Sequence, residues 1–132
     1  MVSKWPVLLF LPVHAGDVDR DGSLTDEACA RFFAAGRDAY FALSTTVDAD
    51  QATVVETSPP RRSGPVDPGG QVSISVSVTE LFPDRFVMAA RVRPEVGDAV
   101  AADLRCVVSA GEVTTAMRDD LIAIAHAASH WH

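Results

Sequence analysis

At 132 residues the chain has the length of one domain, and 48% apolar residues with a mean hydropathy of +0.14 exclude a disordered polymer. A formal charge of −7 excludes a surface built for nucleic-acid backbones, which needs a basic face. No apolar run approaches the roughly 18 residues of a membrane span, so a membrane partner is not expected either.

Two cysteines, Cys29 and Cys106, are too few for a disulfide framework and read as reduced, buried, structural thiols, in keeping with a cytoplasmic protein. The opening MVSKWPVLLFLPVHA has a lone lysine, a short apolar run and small residues near Ala15, the outline of a secretory signal. Two prolines, a histidine and its shortness favour a first strand instead, from Pro6 to Val13, apolar enough to be covered on both faces.

Next comes GDVDRDGSLTDEACARFFAAGRDAYF, residues 16–41. Three carboxylates stand at alternate positions (Asp17, Asp19, Asp21), then Gly22, then an amphipathic helix. Thr25 suits the N-cap, and Asp26 and Glu27 suit the positive end of the helix dipole. Ala28, Cys29, Phe32, Phe33, Gly36, Tyr40 and Phe41 recur at three- and four-residue steps, one buried helical face ending near Phe41 or Ala42. Phe32, Phe33 and Tyr40 are core residues on this reading. Ala34, Ala35, Gly36 and Ala39 make the helix thin along one side, so that it can lie close to a curved sheet.

Residues 43–50 form a polar connection, and Gln51 to Thr57 reads as a second strand. PPRRSGPVDPGG is a long surface loop within the same domain. Three strands follow. Val72, Ile74, Val76 and Val78 alternate with Ser73, Ser75, Ser77 and Thr79. After a Pro83-Asp84 turn, Phe86, Met88, Ala90 and Val92 alternate with Arg85, Arg91 and Arg93. After Gly97-Asp98, Val100, Ala102, Leu104, Cys106 and Val108 oppose Asp103, Arg105 and Ser109. Short turns join them as an antiparallel meander. A last helix, about Ala116 to Ala128, gathers Met117, Leu121, Ile124, Ala125 and Ala128 on one side. The class is α+β: one antiparallel sheet around one long central helix, plus a C-terminal helix.

The acidic turn places carboxylates against a helix N-terminus, where unpaired N–H groups can polarise a carbonyl or hold an anion. The same stretch nearly spells a calcium loop, with Asp17, Asp19, Asp21, Gly22 and Thr25 at ligand positions. The final bidentate carboxylate is missing, since Ala28 stands there, and the entering segment is extended. His126 and His130, four apart, with His132, have metal-binding spacing but nothing to complete a set, so no metal is assigned. His14 precedes the acidic turn and is more simply structural. Arg61 and Arg62 in the long loop are candidates for anionic groups, phosphates above all. There is no Gly-rich phosphate loop, no nucleophile elbow and no Cys-x-x-Cys.

On the motif residues the chain resembles the hot-dog thioesterases, in particular the 4-hydroxybenzoyl-CoA thioesterase-like branch. The family's Asp-x-Asp-x-x-Gly stands here as Asp17, Asp19 and Gly22. It runs without a gap into a helix with Cys29 in the place of a tyrosine, then Phe32, Phe33 and Arg37. The resemblance implies the hot-dog fold, an acyl thioester substrate carried on coenzyme A or a carrier, and no other cofactor. It implies that Asp19 attacks the thioester carbonyl or activates a water, that the Asp26 amide polarises the carbonyl oxygen, and that Asp17 orients the turn. Ser23 and Arg61 with Arg62 are the substrate-binding candidates. The family pairs chains through their sheets, which implies a homodimer or a tetramer, with partner residues in 51–60 or 72–80 completing the site.

Three positions depart from the family pattern. Ser23 stands where a His or an Ile commonly follows the glycine, and Asp26 where an Asn, His or Tyr is common; Cys29 removes a ring from the pocket wall. A carboxylate at Asp26 repels a developing oxyanion. Two alternatives to an enzyme stay open: a non-catalytic hot-dog module that binds an acyl or aromatic ligand, and a calcium loop at Asp17–Asp21.

Overall fold

The computed structural model describes residues 7–47, 52–95 and 100–129. Strand β1 (Val7–Pro12) leads through a single turn of 3-10 helix (Ala15–Asp17) to helix α1 (Asp26–Ala42). Strands β2 (Thr53–Thr57), β3 (Arg61–Arg62), β4 (Gln71–Leu81), β5 (Phe86–Pro94) and β6 (Ala102–Ser109) follow, and helix α2 (Thr115–Ser129) is the last described element. All the pairings are antiparallel, in the order β1-β4-β5-β6-β2, with β3 joined to β6. The expected architecture is therefore present, an α+β hot-dog arrangement with one sheet wrapping one long helix.

Helix α1 buries Ala28, Cys29, Phe32, Phe33, Gly36, Tyr40 and Phe41, the whole of the expected face. Each fully buried aromatic contributes on the order of 2–3 kcal/mol by leaving water. The thin side works as the composition suggests. A methyl at Gly36 would lie 2.9 Å from Cγ2 of Ile74 and of Val76, so only glycine lets the helix settle onto β4. The facing layer is Val72, Ile74 and Val76 of β4, Phe86, Met88, Ala90 and Val92 of β5, and Ala102, Leu104, Cys106 and Val108 of β6. Met117, Leu121 and Ile124 bring α2 onto the same core.

The other face of the sheet is wet because the alternate residues are polar. Ser73, Ser77, Arg91, Arg93, Asp103 and Arg105 line it, and two cross-strand ion pairs brace it: Arg91 Nε donates to Asp103 at 3.3 Å and Arg105 Nη2 to Glu80 at 2.8 Å.

Two expectations are corrected. The first strand was expected to be covered on both faces, yet among the described residues β1 is an edge strand paired only with β4, with Val7 52% and Phe10 60% exposed. A continuous apolar run does not distinguish a central strand from an edge strand whose inner residues alone, such as Leu9 and Leu11, pack on the helix. The long loop also contains structure: Arg61 and Arg62 pair with Asp103 and Ala102, and Val66 is buried. A two-residue strand carries no periodicity, and proline and glycine around it read only as loop. The Gly97-Asp98 turn, Gln51, Pro6, His130 and His132 lie outside the described residues. Both cysteines are free and buried, and burial pushes both thiols above their ordinary range.

Candidate active site

Residues 17–25 fold as a miniature hairpin. Val18 and Leu24 form an antiparallel bridge, the Asp19 N–H donates to the Ser23 carbonyl at 2.8 Å, and the Thr25 N–H donates to the Asp17 carbonyl at 2.9 Å. Gly22 closes the tip at φ +81°, the left-handed region that side chains disfavour. Leu24 is buried and locks the second arm into the core. Thr25 then starts α1, its hydroxyl oxygen accepting the Ala28 N–H at 3.1 Å.

The carboxylates of this hairpin have different tasks. Asp17 is buried: its Oδ2 accepts the His14 N–H at 2.9 Å and the Arg31 guanidinium at 2.7 Å. The Arg31 guanidinium holds its carboxyl below the ordinary range, against the opposing effect of burial. Both contacts fall on a charged acceptor, so they are the strong kind of hydrogen bond. Asp17 thus anchors the hairpin to α1. Asp19 is exposed at the tip. Its Oδ1 accepts the amides of Asp21 at 2.9 Å and Ser23 at 3.0 Å, while Oδ2 makes no hydrogen bond among the described residues. One oxygen fixes the turn and the other has no partner among the described residues.

Asp26 opens the helix with an exposed side chain, and Arg62 donates to its Oδ1. Main-chain N–H groups in a first turn lack intrahelical acceptors, so this is where a carbonyl oxygen can be polarised. The loop after β3 closes on the same corner. The Val66 N–H donates to the Gly22 carbonyl at 2.8 Å, and Pro65 packs against Gly22. Asp17, Asp19, Ser23, Asp26 and Arg62 are therefore gathered at one junction.

Arg61 is not gathered with them. It pairs with Asp103 on the wet face of the sheet, whereas Arg62 pairs with Ala102 on the helix face. Adjacent strand residues point to opposite faces, so the two arginines leave β3 on opposite sides of the sheet. Ser23 contributes its amide to Asp19 Oδ1 and its carbonyl to the Asp19 N–H. Arg31, the partner of Asp17, was not singled out in the sequence. A buried carboxylate needs a cation, and a helical arginine soon after the turn was the available signal.

The calcium arrangement does not form here, because Asp17 is turned inward onto Arg31 rather than toward Asp19 and Asp21. Among the described residues no group of three His, Cys, Asp or Glu side chains could hold a metal ion. A surface hollow of about 510 Å³, lined by Asp38, Phe41, Ala42 and residues 44–47, lies at the far end of α1 from the hairpin. No helix among the described residues is long and apolar enough to cross a membrane.

No family sequence model and no curated protein sequence matches the chain. The likeness is in three dimensions. A Thermus thermophilus thioesterase solved with coenzyme A and Zn superposes with a TM-score of 0.80 at 17% identity, over 95% of this chain and 98% of that one. A thioesterase-superfamily protein from Jannaschia gives a TM-score of 0.70 at 16% identity, over 89% and 82%. A 1,4-dihydroxy-2-naphthoyl-CoA thioesterase from Synechocystis gives 0.64 at 11%, over 76% and 78%. The chain has the fold that these thioesterases share.

Proposed function

We propose that the protein hydrolyses an acyl thioester, carried on coenzyme A or a carrier protein, to a carboxylic acid and a free thiol. The observation that carries this reading is the division of labour on Asp19: Oδ1 is spent on two turn amides and Oδ2 is uncommitted among the described residues, in the hairpin that leads into the N-terminus of α1. A thioester carbonyl lying between them would have its oxygen on the Asp26 N–H and its carbon facing Asp19. Asp19 then either attacks the carbonyl carbon, expelling the thiolate and leaving an anhydride for water to open, or takes a proton from a water that attacks in its place. In both routes the C–S bond breaks and the tetrahedral oxyanion rests on the helix dipole. Arg62 is held on the Asp26 carboxylate at the same helix end; Arg61, on the opposite face of β3, would serve a ligand crossing to that face or a second protomer.

Within one protomer Asp19 stands exposed, so a pocket wall has to come from a second copy. Among the described residues strand β2 has an unpaired edge, is wholly exposed and includes Val54 and Val55, and such an edge invites pairing. A homodimer, or a tetramer of such dimers, would bring residues 51–60 of one chain toward the site of another. Sedimentation at micromolar concentration tests this, and a monomer refutes it.

The test of the chemistry is a thiol-release assay on short, long and aromatic acyl-CoA substrates with wild type and Asp19→Asn. Asparagine keeps an oxygen for the turn amides, so folding should survive while turnover falls about 100-fold or more. Equal turnover in the two proteins removes Asp19 from the mechanism. Absence of turnover on every thioester, with an acyl or aromatic ligand still bound, would favour a non-catalytic binding module, a reading motivated by the exposure of Asp19 and by the carboxylate at Asp26.

A further inference from the structure

Asp26 combines two opposing features on one residue. Its N–H belongs to the open first turn of α1, where negative oxygen is stabilised, and its side chain is a carboxylate that repels the same oxygen. The chain meets this with Arg62, whose guanidinium sits on Asp26 Oδ1. The backbone sets the position of the arginine. Pairing of Arg62 with Ala102 turns its side chain to the helix face, the Ser63 N–H donates to the Ala101 carbonyl at 2.9 Å, and the Val66 N–H donates to Gly22 at 2.8 Å. A 78%-exposed carboxylate gains little stability from such a pair, so the consequence of the pair is sought in the charge it places at the first turn of α1.

We infer that Arg62 is a positioning residue for the reaction proposed above: by neutralising the Asp26 carboxylate it keeps the first amides of α1 receptive to a developing oxyanion. The inference rests on the thioesterase reading for its catalytic consequence, and on the ion pair for its electrostatic one. It explains how a carboxylate can occupy this helix position at all. It also predicts an unusual pattern, in which removing the cation harms the site and removing the anion as well restores it.

The experiment compares wild type, Arg62→Gln, Arg62→Lys, Asp26→Asn and the double variant Arg62→Gln/Asp26→Asn. On a thioester that wild type cleaves, Arg62→Gln should lower kcat about tenfold, or about 1.4 kcal/mol, with KM little changed. Arg62→Lys should retain most of kcat, and the double variant should recover to within about threefold of wild type. A double variant as slow as Arg62→Gln overturns the inference, because the guanidinium would then act on the substrate directly or on the fold. If wild type cleaves no thioester, the thioesterase reading fails and the charge argument is judged separately. Inorganic phosphate is then titrated while the Asp26 amide resonance is followed. Weaker phosphate binding in Arg62→Gln that recovers in the double variant supports the inference; equal binding in all five proteins, or loss without recovery, overturns it.

Discussion

Asp17→Asn tests the foundation of the hairpin. The carboxylate side chain is 7% exposed, and Oδ2 takes the His14 N–H at 2.9 Å and the Arg31 guanidinium at 2.7 Å. An asparagine of the same shape keeps an oxygen for one donor but removes the charge that Arg31 faces. Breaking a fully buried pair costs about 3–5 kcal/mol. Arg31 is half exposed and can rehydrate, so the loss falls toward that of a charge-assisted hydrogen bond, about 2 kcal/mol. At about 3 °C per kcal/mol for a domain of this size, Tm drops by about 6 °C. The pH dependence follows from the direction of the shift. Asp17 has its folded pKa held below the ordinary 3.8, principally by Arg31, so the pair stabilises fully above the unfolded value and fades as pH falls through the folded one. Urea unfolding of both proteins should show a constant gap from neutral pH down to about pH 5, closing below about pH 4. A gap of the same size at pH 3 as at pH 7 would refute the electrostatic account.

Gly36→Ala should lower stability by about 1 kcal/mol in urea unfolding: contact at 2.9 Å with Ile74 and Val76 costs more than the helix-propensity gain of alanine recovers. An unchanged or raised midpoint would mean that β4 gives way without strain. Tyr40 Oη is buried with no well-formed hydrogen bond among the described residues, and burial pushes its hydroxyl up to about 12 against a smaller opposing pull from the Val78 backbone. Tyr40→Phe should therefore leave stability unchanged or raise it by up to about 1 kcal/mol, and a loss of that size would point to a bond the hydroxyl makes. Asp120 of α2 accepts Ser44 Oγ, Thr46 Oγ1 at 2.9 Å and the Thr45 N–H at 3.2 Å just beyond α1. Burial works against its charge, but these bonds together outweigh it and lower its pKa, so the docking of α2 weakens as pH falls through the folded value. Asp120→Asn should cost about 1–2 kcal/mol at neutral pH and less in acid, read by amide exchange in α2.

Most of the fold is legible where the pattern is long. Seventeen residues of α1 repeat one apolar face and begin at a threonine cap, and β4, β5 and β6 each alternate over eight residues or more. Such segments have one face to bury and therefore one structure that suits them. The first strand is different. Val7 to Pro12 is apolar throughout, and only its register against β4 decides that Leu9 and Leu11 face the helix while Phe10, opposite Ser73, faces water. Strand β3 was illegible for the opposite reason, being too short to have a pattern. That matters for the site, since β3 alone separates Arg62 from Arg61. Asp17, Asp19 and Asp26 were legible by motif; of the cations beside them, Arg31 lies on the helix that follows at once, whereas Arg62 comes from a segment whose approach only tertiary structure sets.

The hairpin assigns its acids by burial, and this separates foldability from chemistry in a way two parallel variants can exploit. At Asp17 both donors converge on one buried oxygen, so replacing charge by amide must be felt in stability. At Asp19 the donors are backbone amides at an exposed tip, which an asparagine oxygen accepts almost as well, so the same replacement should be nearly silent in stability. A loss of turnover at Asp19→Asn without a loss of Tm is therefore informative only because Asp17→Asn shows the converse sensitivity. If Asp19→Asn instead destabilised the chain as much as Asp17→Asn, its carboxylate would be structural, and the uncommitted Oδ2 would have no claim to chemistry.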